Sequence, residues 1–148
     1  MLFRSADGLV NLANATVTLQ TLLGGGTVDL NTTALTLSNG TFSGAINGTG
    51  SLVKTSGGLL SLSGSNAYSG ATNVNAGTLA LSGTLASTAV TVANGATLNA
   101  QSGSALAATA VLTADGVVNL LNAGVTLQTL LGAGVVALDT TEIGRAHV

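Results

Sequence analysis

The 148-residue chain has neither cysteine nor proline. The lack of cysteine excludes disulfides, thiolate metal sites and thiol nucleophiles together. Charge is almost as scarce: 5% of residues are charged, where an ordinary globular domain carries roughly 25%. Lys54 is the sole base between Arg4 and Arg145, so no basic patch exists to neutralise nucleic-acid phosphates. Two Phe and one Tyr cannot form a base-stacking platform. Long apolar runs are absent too. Asn, Thr, Gln or Gly interrupts every stretch of about 20 residues, and no membrane-spanning helix is expected. The start shows no signal-peptide pattern.

Leu, Val, Ile and Phe nevertheless supply 43 of the 148 residues. That fraction lies above the roughly 20% below which chains fail to collapse, so the chain reads as folded rather than disordered.

The two ends differ from the rest. The terminal stretch EIGRAHV holds the only His (His147), the only Glu (Glu142) and one of two Arg (Arg145). Back-translated, EIGRAHV resembles a short-read sequencing adapter, and LFRS near the start resembles its reverse complement. Residues 1–5 and 142–148 are therefore expected to be adapter-derived scars, and 6–141 an interior fragment without caps. If EIGRAHV were genuinely encoded, His147, Arg145 and Glu142 would return as candidate functional residues. Within 6–141, Lys54 stands against Asp7, Asp29, Asp115 and Asp139.

ADGLVNLANATVTLQTLLGGGTVDLNTT at 6–33 returns as ADGVVNLLNAGVTLQTLLGAGVVALDTT at 114–141, identical at 21 of 28 positions. Exchanges such as Leu9 for Val117 and Gly25 for Ala133 stay among small or apolar residues, as a shared packing environment allows. Between the copies run apolar pairs at alternate positions, among them Leu35 and Leu37, Leu60 and Leu62, Leu79 and Leu81, and Val90 and Val92. Period two is the signature of strands. Asn39-Gly40, Asn47-Gly48, Gly57-Gly58, Gly64, Gly70, Gly77, Gly83 and Asn94-Gly95 read as turns between them.

Leu60, Leu79 and Leu98 recur at a constant interval. A step of about 20 residues predicts one coil of a parallel β-solenoid, in which equivalent side chains stack at roughly 4.8 Å. Like charges would meet in such a stack, which gives a physical reason for the scarcity of charge. The competing architecture is a β-sandwich or small barrel, whose sequences also alternate in short strands. The long duplication and the few aromatics favour the solenoid. An amphipathic helix over 114–132 is the weaker reading, because Val, Thr, Asn and Gly interrupt its apolar stripe.

Residues 48–83 read GTGSLVKTSGGLLSLSGSNAYSGATNVNAGTLALSG. Gly48, Gly50, Leu52 and Lys54, then Gly58, Leu60, Leu62 and Gly64, then Asn66, Tyr68, Gly70, Thr72, Val74, Gly77 and Leu79 fall in one ordered pattern. It resembles the passenger-associated transport repeat, or autotransporter-associated β-strand repeat, of bacterial autotransporters. Ser56 departs from it, standing where the family usually has Gly. The resemblance implies an all-β, right-handed, single-stranded parallel β-helix in a passenger displayed on the bacterial surface or secreted. Its implied partner is a C-terminal outer-membrane β-barrel of the same polypeptide, and surfaces for host contact or self-association are further expectations.

No residue is assigned a catalytic, cofactor-binding or metal role. Asp7 and Asp115 occupy the same repeat position before Gly and read as turn residues, while Asp29 becomes Ala137 in the duplicate. The nonapeptide array of calcium-binding solenoids is missing, and Gly24-Gly25-Gly26 lacks the Lys and hydroxyl residue of a phosphate loop. Lys54 reads as a solvated side chain beside a turn, and Tyr68 as a packed strand aromatic. The expected role is a structural stalk supporting export, with adhesion or aggregation. The alternatives are an ice-binding solenoid, although Thr16-x-Thr18 is not echoed in the duplicate where Gly124 stands opposite Thr16, a carbohydrate-binding solenoid with Tyr68 as a lone sugar-stacking residue, or the scaffold of an enzymatic passenger.

Overall fold

The computed structural model describes residues 4–121 and 125–139. Glu142, Arg145 and His147 lie outside the described residues, and with them the expected C-terminal scar. Every described element is a strand, and every strand pairing is parallel. The chain winds as a β-solenoid of about seven turns.

Its first coils hold β1 (Arg4–Ser5) and β2 (Leu9–Asn11), then β3 (Thr16–Gly24) and β4 (Thr27–Asp29), then β5 (Ala34–Phe42) and β6 (Ala45–Asn47). The next three coils have three strands each. They are β7 (Ser51–Lys54), β8 (Leu59–Leu62) and β9 (Ser65–Asn66); β10 (Thr72–Val74), β11 (Gly77–Leu81) and β12 (Thr84–Leu85); and β13 (Ala89–Val92), β14 (Ala96–Ala100) and β15 (Ala105–Leu106). The last coils contain β16 (Val111–Ala114) and β17 (Val117–Leu121), then β18 (Thr129–Leu131) and β19 (Val135–Asp139).

Three faces result. The first stacks the leading halves of β3 and β5 with β7, β10, β13, β16 and β18. The second stacks β1 and the trailing halves of β3 and β5 with β8, β11, β14, β17 and β19. The third runs β2, β4, β6, β9, β12 and β15. Asn39-Gly40, expected as a turn, lies inside β5, because this strand passes unbroken around the corner between the first two faces. Gly40 takes φ +152 there.

Alternation places Leu and Val inside. Leu60, Leu79, Leu98 and Val118 stack in register on the second face, and all four are fully buried. Each such side chain contributes about 1.5–3 kcal/mol by leaving water. The outward column of the first face runs Thr18, Thr36, Val53, Asn73, Thr91, Thr113 and Leu131. It is uncharged, as stacking of like charges requires, but its threonines are interrupted, so the column forms no continuous Thr ladder.

The corner between the second and third faces is a column of glycines. A Cβ on Gly44 would run into the Gly26 carbonyl, one on Gly64 into the Gly44 carbonyl, and one on Gly83 into the Gly64 carbonyl. At these three coils the backbones approach so closely that no side chain fits. Ser104 takes the next place in the column, directly before Ala105, which pairs with Thr84.

The duplicated segments keep their local geometry. Leu9, Val10 and Asn11 pair with Thr27, Val28 and Asp29, just as their counterparts Val117, Val118 and Asn119 pair with Val135, Val136 and Ala137. Their place in the prism differs. β2 lies on the third face, whereas its duplicate β17 lies on the second. By register, the stack that reaches Val118 through Leu22, Gly40, Leu60, Leu79 and Leu98 begins at Arg4, not at Val10, the sequence counterpart of Val118. The cause is coil length. On this face the steps from Gly40 to Leu60 and from Leu98 to Val118 are longer than the step from Leu22 to Gly40, so the second copy falls one face short.

Candidate functional site

The motif of residues 48–79 is where a site would be sought, and the structure turns it inward. Leu52, Lys54, Leu60, Leu62, Asn66, Tyr68, Thr72, Val74 and Leu79 are all buried. The glycines between them serve corners. Gly48 and Gly77 take positive φ (+109 and +71), and a Cβ on Gly70 would strike the backbone of Gly50.

Lys54 is the main correction to the sequence reading. It follows Leu52 with period two on β7 and so points into the core, where it is fully buried rather than solvated. Its ammonium donates to the carbonyls of Ser56 at 2.6 Å and Ala76 at 3.1 Å, joining its own corner to the next coil. Burial pushes its pKa below the ordinary lysine value. Its aliphatic stem fits the apolar core, and the two carbonyls replace water at the head.

Ser56 shows why the family prefers glycine at its position. It has φ +72, in the left-handed region that L side chains rarely adopt. Its hydroxyl donates to the Ser38 carbonyl at 3.2 Å, and its carbonyl is the closer acceptor for Lys54. The departure from the pattern thus keeps the backbone conformation and adds a hydrogen bond.

Asn66 and Tyr68 hold the opposite side of the coil. The Asn66 amide donates to Gly64 O at 3.1 Å and Thr84 O at 3.0 Å, tying the glycine corner to the next coil. Tyr68 lies in the segment between β9 and β10 rather than on a strand, and it is the largest fully buried side chain among the described residues. Its hydroxyl shares a 2.7 Å hydrogen bond with Thr72 Oγ1. Burial pushes the phenol pKa far upward, and the bond to Thr72 offsets part of that. The phenol is an inert structural group at ordinary pH.

Other candidates remain separate. Asp7-Gly8 and Asp115-Gly116 sit at corners, and Asp115 Oδ1 accepts from the Ala133 N–H at 3.3 Å. Asp29 Oδ1 accepts from the Asn31 N–H at 2.9 Å and closes a local turn in which Asn31 has φ +49. Among the described residues no three His, Cys, Asp or Glu side chains gather as a metal-binding group. An opening of about 540 Å³ lies at the first coils against Leu9, Val10, Leu12, Val17 and Leu19, and among the described residues no ionisable side chain lines it. Another, of about 410 Å³, is lined by Asp29 with Asn31 and Asn47 beside it.

Residues 52–81 match the family model for the passenger-associated-transport-repeat. The chain carries this transport repeat. The matched stretch begins on β7 and ends with the last residue of β11, so it covers the buried lysine, the glycine corner, the Tyr68–Thr72 pair and half of the following coil. No curated protein and no solved structure gives a significant match to the chain. The repeat and the solenoid together fit a structural segment of an autotransporter passenger. Sequence reasoning located the transport repeat but missed the burial of Lys54, although its even spacing from Leu52 on one strand was the available signal.

Proposed function

We propose that this chain is a stalk segment of an autotransporter passenger, displayed on the bacterial surface or secreted. It supports export through the β-barrel of the same polypeptide and holds distal regions away from the cell. One observation carries the reading: the non-glycine residues of the matched motif point into the core, so the motif encodes the shape of a coil and leaves no side-chain chemistry on the surface. A chain without disulfides can thread a pore, and each coil can pair with the one before it as it emerges.

Display of residues 6–141 in place of an equal length of stalk, ahead of an autotransporter barrel, tests the proposal. Surface protease should reach the passenger. Retention in the periplasm, while an unrelated solenoid of equal length is displayed, would overturn it. Adhesion or aggregation belongs to the same proposal, because uncovered strand edges at the ends of a solenoid recruit other strands. Light scattering of residues 6–141 should show mass growing with concentration, and a concentration-independent monomer counts against self-association.

A further inference from the structure

Three Asn-Gly pairs occur in the chain, at 39–40, 47–48 and 94–95. In such a pair the backbone nitrogen of glycine can attack the asparagine side-chain carbonyl carbon. The new C–N bond closes a succinimide and ammonia leaves. Water then opens the ring, leaving aspartyl or isoaspartyl where asparagine stood. The reaction needs a free side-chain amide, an unengaged glycine N–H, and room for the backbone to bring the two together.

The fold grants these conditions unequally. Asn39 Oδ1 accepts from the Thr21 hydroxyl at 2.8 Å, and Gly40 lies inside β5, paired with Leu22 on one side and Leu60 on the other. Asn47 ends β6 in register with Asp29, and Gly48 is pressed onto Asn31, whose backbone nitrogen would stand 2.7 Å from an added Cβ. Asn94 and Gly95 are exposed in the turn between β13 and β14. Gly95 has φ +81, and nothing lies within 4 Å of an added Cβ. The Ala96 N–H closes the turn onto Ala93 O at 2.9 Å, while the Gly95 N–H and the Asn94 amide make no hydrogen bond among the described residues.

We propose that Asn94-Gly95 is a site of spontaneous, water-consuming deamidation, and that the solenoid protects the other two Asn-Gly pairs. The next coil carries an Asp-Gly pair, Asp115-Gly116, in its own shorter corner between β16 and β17. The modification adds one negative charge at an exposed turn. The isoaspartyl branch also lengthens the main chain of a tight corner.

The test is incubation of the folded chain at mildly alkaline pH, with conversion at each asparagine followed by fragmentation mass spectrometry. A parallel sample in denaturant provides the reference. In the folded chain Asn94 should convert at least about tenfold faster than Asn39 or Asn47, because those must wait for local opening of the ladder. In denaturant the three rates should converge, and Asn94→Gln should remove most of the conversion in the folded chain. Asn39 or Asn47 keeping pace with Asn94 in the fold overturns the proposal, as does an Asn94 that reacts only in denaturant.

Discussion

The Tyr68–Thr72 hydrogen bond allows a quantitative test of how the motif stabilises the coil. Both side chains are fully buried, and the bond between their hydroxyls is the 2.7 Å contact described above. Tyr68→Phe leaves the Thr72 hydroxyl buried without its partner, at a cost of about 1–3 kcal/mol. Thr72→Val leaves the phenol in the same position and should cost a similar amount. The double variant removes both polar groups with little change of shape, so the stranded-group penalty disappears. Its loss should therefore fall short of the sum of the single losses by about 1–2 kcal/mol. Urea denaturation followed by circular dichroism measures all four corners of the cycle. For a chain of this size a loss of about 1–3 kcal/mol lowers the melting temperature by about 2–12 °C, well within resolution. Losses that add to within about 0.5 kcal/mol would refute the reasoning, since the two hydroxyls would then act independently.

Three further outcomes are expected. Lys54 has a lowered pKa in the fold, so between that value and the ordinary lysine value near 10.4 the unfolded chain binds more protons. Stability should thus rise with pH across this window, by at most about 1.4 kcal/mol per pH unit. Tyr68 has the opposite sign, because its folded pKa is raised: above about pH 10 only the unfolded chain loses the phenol proton, and stability should fall. Denaturation curves from neutral to alkaline pH should lose the rising limb in Lys54→Met and the falling limb in Tyr68→Phe; unchanged limbs would contradict the assignments. Ser56→Gly should leave stability unchanged or higher, while Ser56→Val should lose about 1–3 kcal/mol at φ +72, and equal effects would show that conformation is not the issue. Gly64→Ala should cost about 1–3 kcal/mol by driving a methyl into the Gly44 carbonyl, whereas Gly57→Ala, with open space around it, should be neutral or stabilising by thermal melting.

Much of the coil was legible along the chain. The even recurrence of Leu60, Leu79 and Leu98 is the observed stack, because parallel pairing puts equivalent residues directly above one another. Gly64 and Gly83 read correctly as corner residues. Asn39-Gly40 did not, because dipeptide preference is local, whereas the continuity of β5 is imposed by pairing with β3, β7 and β8. Lys54 was misplaced for a related reason. Charge argues for solvent, and only the closure of the coil brings the Ser56 and Ala76 carbonyls to where they can replace it.

The sequence by itself determined the period, the strand alternation and the scarcity of charge, and its resemblance to a known family located the transport repeat. The first three follow from spacing and composition, which act at short range. The tertiary structure alone decided which residues meet across coils: Asn66 with Thr84, Lys54 with Ala76, and Gly64 with Gly44. It also decided that two nearly identical segments occupy different faces. Coil length varies between neighbours, and the phase of a winding chain depends on the accumulated count of residues, which no local stretch contains.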